Sequence, residues 1–318
     1  MAYKFADDEP VRAAIVRCAR EQLDLAIAEL SQRINDDPVA AVHSARKAIK
    51  KERSLLRLAR GAIPPDQQRA ENAALREAAR ELAGARDAAV RTGTLDQLSD
   101  RFAGQLPATT FERIREQLRN SGDDQRGGVV GSVSIERAVE ELAAVRLRVE
   151  DWTLDEDGWS AIESGLMRGY KRGRKAFLRA RSGGSDEDLH EWRKRVKDLW
   201  YHARLLAPGG GPPVQGQAKD AHRLADLLGD DHDLALLRQE IASNAVSIPA
   251  DTDAVVRLIE HRRRELQAEA RHIGARVYAE SPKAFRRRMR RSWGAGRGAA
   301  ASALEPRPAE LAQATRES

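Results

Sequence analysis

The stretch VHSARKAIKKERSLLRLAR, Val42 to Arg60, decides how the rest of the chain reads. At ~100° per residue, His43, Arg46, Lys50, Arg53 and Arg57 fall into one narrow stripe with Lys47 and Lys51 beside it, while Val42, Ala45, Ile49 and Leu56 form a neighbouring apolar face. The segment is an amphipathic helix that packs along one side and is cationic along the other. A solvated helix ordinarily intersperses acids among its bases, because like charges at i,i+4 repel by a few tenths of a kcal/mol per pair. Here only Glu52 intervenes.

The pattern returns 147 residues later as LHEWRKRVKDLWYHARLLA, Leu189 to Ala207. His43 answers to His190, Arg46 to Arg193, Lys47 to Lys194, Lys50 to Lys197 and Arg57 to Arg204; the apolar Val42 and Ile49 answer to Leu189 and Val196. Pro64-Pro65 and Pro212-Pro213 follow the two copies, and LAGARDAAV (Leu82 to Val90) matches LGDDHDLAL (Leu228 to Leu236) at an offset of 146. A register that persists into the next helix of each half is an internal repeat, which shared helical composition alone does not produce.

A His-x-x-Arg-Lys-x-x-Lys helix present twice, each copy followed by an L-x-x-x-[RH]-D turn, resembles the CHAD family, an α-helical domain named for its histidines. GLMRGYKRGRKAFLRA (Gly165 to Ala180) and SPKAFRRRMRRSW (Ser281 to Trp293) are similar to it too, so the resemblance covers roughly residues 11 to 293. It implies a binder of long-chain inorganic polyphosphate, a role that in several family members is tied to polyphosphate granules. Carried over by motif, His43, Arg46, Lys47, Lys50, His190, Arg193, Lys194 and Lys197 line a channel between two bundles, joined by Lys171, Arg174 and Lys175. The family is often fused to an enzyme marked by Glu-x-Glu-x-Lys, and no two glutamates here are separated by one residue.

The composition agrees. The chain is 41% hydrophobic, rich in Ala, Leu, Arg and Glu, and only 4% aromatic, which reads as all-α. The single cysteine, Cys18, cannot form an internal disulfide and points to a reducing compartment. The acidic start MAYKFADDEP has no signal-peptide core, and no run approaches the ~18 apolar residues of a membrane span. The expectation is a cytoplasmic protein with no membrane insertion; nothing in the sequence sets an oligomeric state. Net charge is only +6, but residues 42–60, 168–181, 189–204 and 283–291 carry +6, +7, +3 and +6, leaving −16 for the rest. Cations gathered on a few helices repel one another, and the arrangement suits a polyanionic partner.

In order, residues 1–10 read as a loose lead-in and 11–293 as the CHAD-like domain, with halves at 11–134 and 135–293. Residues 294–318 read as a disordered tail. Helices are expected near 11–34, 39–60, 67–82, 135–149, 158–181, 215–228, 232–242 and 253–279. Segments at 95–106 and 110–118 complete the first bundle. Ala207 to Pro213 is a breaker, and Ser185 or Asp186 can cap the helix that follows them. The expected architecture is two pseudo-symmetric antiparallel helical bundles from an internal duplication.

Lys and Arg bind phosphate by charge-assisted hydrogen bonds, and a stripe from i to i+11 spans ~16 Å, enough to follow several phosphates. The candidate ligand-binding set is therefore His43, Arg46, Lys47, Lys50, Arg53, Arg57, Lys171, Arg172, Arg174, Lys175, His190, Arg193, Lys194, Lys197, Tyr201 and Arg204. The first-half counterpart of the Lys171 helix contains Glu21 and Asp24, so the cationic surface leans toward the second half; Arg53 and Lys51 become Trp200 and Asp198 in the second copy, so equal contributions from the two halves are not expected. Trp192 and Trp200 read as core. Asp230-Asp231-His232-Asp233 reads as a helix cap rather than a metal site, as does Asp87 after Arg86. Arg286, Arg287, Arg288, Arg290 and Arg291 encircle their helix. No P-loop, Gly-x-Ser-x-Gly or nucleophile–base pairing suggests catalysis, and nothing calls for a cofactor or metal. Two alternatives stay open: a basic nucleic-acid-binding or nucleoid-associated protein, short of stacking aromatics and of a helix-turn-helix, and a scaffold for an acidic partner.

Overall fold

Apolar residues at helical spacing place nearly the whole chain in helices. The computed structural model describes residues 3–82, 87–124, 131–243 and 249–304. Within them lie α1 (Val11–Ser31), α2 (Pro38–Leu58), α3 (Pro65–Glu81), α4 (Asp87–Arg101), α5 (Ala108–Asp124), α6 (Ser132–Val149), α7 (Gly158–Arg181), α8 (Asp186–Ser243), α9 (Pro249–Val277) and α10 (Pro282–Leu304). The protein is all-α; the described residues hold one isolated bridge, Ala103 to Leu106, and no strand.

Local chemistry explains the helix starts. Asp37 caps α2 by accepting from the Ala40 N–H at 2.9 Å, with Pro38 at the first position, where a missing donor costs nothing. Ser185 Oγ accepts from the Asp188 N–H at 3.3 Å ahead of α8. The breaker at 207–213 is a sharp turn at one residue, Gly211 (φ 61, ψ −165), which divides α8 into two arms; that left-handed backbone is accessible to glycine without strain.

The expected new helix at Asp230–Asp233 does not form. The second arm of α8 runs unbroken to Ser243 and these residues lie inside it. The reason is long-range: Asp231, 2% exposed, receives Arg263 Nε at 3.0 Å and Gln267 Nε2 at 2.9 Å from α9, and Arg263 also reaches Asp186 at 2.6 Å. The acid serves a buried charge network, and removing either partner of such a pair leaves an uncompensated buried charge. Asp87 does begin α4, while Arg86 lies outside the described residues.

Packing departs from chain order. α6 presents Ala138, Leu142, Val145 and Val149 to α1 and α3, and Arg148 grips Glu71 through two bonds of 2.9 and 2.8 Å. It takes the place expected for α4 and α5, which instead lie on α8 and, for α5, on α9 as well. α7, α8, α9 and α10 pack around Tyr170, Phe285, Phe177 and Trp192, with Tyr170 stacked on Phe285 at 3.8 Å. Phe285, Met289 and Trp293 turn α10 onto this core, and the helix continues past Trp293 to Leu304; residues 305–318 lie outside the described residues.

The two groups of helices meet where α2 touches α7 and the first arm of α8. Gly165 of α7 sits against the α2 backbone so closely that a Cβ there would run into the carbonyls of Arg57 and Leu58. The lead-in is not loose: Tyr3 and Phe5 are each 1% exposed. The Tyr3 hydroxyl donates to the Lys51 carbonyl of α2 at 2.7 Å, and the Phe5 N–H donates to the Leu205 carbonyl of α8 at 3.0 Å.

Candidate functional site

On α2, Ala41, Val42, Ala45, Ala48 and Ile49 face the core, which forces the intervening His43, Lys47 and Lys50 outward to exposed positions and leaves Arg46, Lys51, Arg53 and Arg57 half-buried. Arg46 Nη1 donates to the Leu82 carbonyl at 2.7 Å, so one edge of this arginine ties α2 to the end of α3. On the first arm of α8, Leu189, Trp192, Val196 and Leu199 are the buried face, and the second copy of the pattern lies on the remaining side.

The two cationic faces meet. Lys51 lies over the Tyr3 ring at 5.5 Å, and burial, with Arg204 and Lys47 beside it, pulls its ammonium down to about 8. Arg204 belongs to the second copy and Lys47 to the first, so cations from both halves share one edge and repel there. Farther along α8, the His190 ring lies 4.5 Å from that of His232 in the second arm, tilted by 35°. Burial, followed by Lys194 and Arg193, lowers His190; burial, followed by Arg193, His190 and Lys197, lowers His232 to about 4. In both, burial first and the neighbouring cations second disfavour the charged imidazolium, and a bound polyanion would offset the second of these.

Other candidates lie elsewhere. Tyr201 is 5% exposed, with its ring edge-on to Tyr3 at 6.0 Å, which makes it a packing residue. Trp192 is fully buried, as expected, whereas Trp200 is half-buried between Tyr201 and His222. Lys171, Arg174 and Lys175 line a shallow groove with Arg179 and Pro282, beside α10, that includes no residue of α2 or α8. In the basic stretch of α10, Arg286 pairs with Glu163 at 3.3 Å and Arg288 with Glu280 at 2.7 Å, while Arg287, Arg290 and Arg291 are exposed.

Arg53, Arg57 and Arg172 open onto a cleft of about 280 Å³ between α2, α3, α7 and α8, which also gathers Arg60, Arg69, Arg168, Arg195, Asp198 and His202. Arg57 Nη2 meets Asp198 Oδ1 at 2.7 Å across the α2–α8 contact, and Arg195 lies 3.5 Å from the other oxygen. Arg60, Arg69, Arg168 and Arg195, with Lys51, His202 and His232, stand outside the predicted set; all but Arg69 lay in stretches the sequence singled out, Lys51 as a neighbour of the stripe and His232 as part of a cap. Among the described residues no group of three His, Cys, Asp or Glu side chains could hold a metal, and no helix is long and apolar enough to cross a membrane.

A sequence model of the CHAD domain matches residues 17–242. The chain belongs to the CHAD family. Two uncharacterized proteins of Mycobacterium tuberculosis are each 28% identical over 255 residues, 75% of this chain and 47% of their own length, so the chain spans about half the length of the curated relatives it matches. Among solved structures, PptA from Streptomyces chartreusis superposes with a TM-score of 0.55 at 16% identity, covering 86% of this chain and 100% of that one. The CHAD domain from the plant Ricinus communis gives 0.49 at 16% identity, covering 91% and 95%. CHAD proteins are in general binding modules, and the PptA likeness, at its low identity, speaks to the fold alone.

Proposed function

We propose that this CHAD protein binds inorganic polyphosphate without catalysing a reaction, at polyphosphate granules in the cytoplasm. His43, Arg46, Lys47 and Lys50 of α2 act with His190, Arg193, Lys194, Lys197 and Arg204 of α8. The supporting observation is the shared edge where burial, with Arg204 of the other copy and Lys47 beside it, disfavours the charge of Lys51. Such an arrangement is unfavourable without an anion and favourable with one. Exposed Lys47 and Lys194 supply mobile point charges, and the arginines supply directional forks. The decisive measurement is competition between labelled polyphosphate and duplex DNA across a salt series. Both lose affinity as salt rises, through counterion release. Polyphosphate winning by at least about tenfold per charge equivalent at physiological salt supports the proposal, whereas parity or a preference for DNA replaces it with the nucleic-acid reading.

A further inference from the structure

The arginine cleft at the α2–α7–α8 junction calls for its own occupant. Arg53, Arg60, Arg168 and Arg172 have no carboxylate within ion-pair distance among the described residues; Arg53 Nε has only the Asn72 amide oxygen, at 3.1 Å. Burial lowers Arg53, Arg60 and Arg172 in turn, helped by Arg57 and Arg76 for the first, by Arg168 for the second, and by Arg195 and Arg168 for the third. Mutual repulsion among guanidiniums in a concave, partly desolvated place is unfavourable unless an anion enters. Two buried polar atoms on the cleft wall lack a partner as well: Arg57 Nε, and Nδ1 of His202, a side chain 1% exposed whose Nε2 faces the Ser54 carbonyl at 3.0 Å. Buried polar atoms left unbonded are costly, and sites carrying them commonly take a ligand or water.

The shape and charge of the cleft select the ligand. The volume suits a few phosphate units and no polymer. A terminal phosphate carries about −1.5 to −2 charge and three acceptor oxygens, where an internal unit has less charge and fewer free oxygens. Guanidinium forks converging from α2 and α7 match the richer group. The floor is glycine: Gly165 lets α7 reach α2, and a Cβ on Gly169 would stand 3.2 Å from His202 Nδ1, so no side chain occupies the space. Arg57 belongs both to the α2 stripe and to the cleft, so a chain lying along the stripe can run its end into the cleft.

We infer that this cleft seats the terminal phosphate of a condensed phosphate chain, while the repeated stripes hold internal units. The inference rests on the polyphosphate reading for its class of ligand. The test uses the full chain and four calorimetric titrants: linear tripolyphosphate, cyclic trimetaphosphate, long polyphosphate with free ends, and long polyphosphate with its ends blocked as phosphoramidates. Tripolyphosphate should bind at least about tenfold tighter than the cyclic trimer, and Arg168→Ala with Arg172→Ala, both exposed and with no ion pair among the described residues, should cost it about tenfold while end-blocked chains bind as before. Lys47→Glu with Lys194→Glu should do the converse. Equal binding of linear and cyclic trimers, or tripolyphosphate affinity unchanged by the Arg168 and Arg172 substitutions, overturns the inference. Failure of end-blocked long chains to bind wild type overturns the stripe instead, so the two failures are distinct.

Discussion

The repeated stripes and the arginine cleft are both cationic, but they arise differently. The stripes occupy positions that match between α2 and α8: His43 and His190, Arg46 and Arg193, Lys50 and Lys197. The charged residues of the cleft, apart from Arg57, sit at positions that do not match. Arg53 corresponds in the repeat to Trp200, Arg195 to Ala48, Asp198 to Lys51, His202 to Leu55, and Arg168 of α7 to Glu21. The stripe is an extended, lysine-bearing, solvent-open surface, and the cleft is concave and arginine-walled. A sequence pattern present twice can thus give two helices a common surface while the residues around it, which differ, build a separate site.

Three further experiments test that contrast. The largest effect is expected from Gly165→Ala, which pushes a methyl into the α2 backbone; because backbone cannot step aside, a loss of about 3 kcal/mol in unfolding free energy is expected, together with loss of tripolyphosphate binding. Chemical denaturation and titration of the same variant check both parts. Full stability would mean that the α2–α7 contact is looser than described and the cleft less well formed.

Next comes charge reversal on the stripes. Arg46→Glu with Arg193→Glu should weaken long-chain polyphosphate by about 100-fold, ~2.7 kcal/mol, against a factor of about 3 for Arg12→Glu with Arg257→Glu, two exposed arginines elsewhere. Circular dichroism should show unchanged helicity in both. Similar losses from the two pairs would reduce the stripe to diffuse attraction.

The smallest effect separates the regions by pH. Lys51, held at about 8, sheds its charge as pH rises from 7 toward 9.5, so stripe binding should weaken about threefold over that range. Arginines keep their charge there, so tripolyphosphate binding in the cleft should not fall. Lys51→Arg should abolish the decline in long-chain affinity, and persistence of the decline would place its origin elsewhere.

Much of the molecule was legible because local chemistry wrote it. Helix α7 begins and ends where the residues predict, Asp37-Pro38 starts α2, and the CHAD pattern is visible in two copies of one heptad-like spacing. What was not legible depends on residues far apart in the chain. No local rule shows that Arg263 will reach back to Asp231 and hold a helix straight through an apparent cap, or that α6 will displace α4 and α5 from α1 and α3. Tyr201 looked like a phosphate ligand because the residues preceding it on α8 are cationic, yet Tyr3, from the far end of the chain, covers it. Arg53, Arg57 and Arg172 were in the candidate set, but that they share a cleft with Arg60, Arg69, Arg168 and Arg195 depends on how α2, α3, α7 and α8 meet, which no local pattern shows.

The attachment of Tyr3 and Phe5 has a consequence for biosynthesis. Phe5 pairs with Leu205, two hundred residues downstream, and Tyr3 with Lys51. On the ribosome the first residues emerge long before α8 exists, so two large aromatic side chains wait without their pocket until most of the polypeptide has been made. Contacts spanning such distances close late and slowly. Final locking of Tyr3 and Phe5 therefore belongs to a late stage of folding, after both groups of helices have come together.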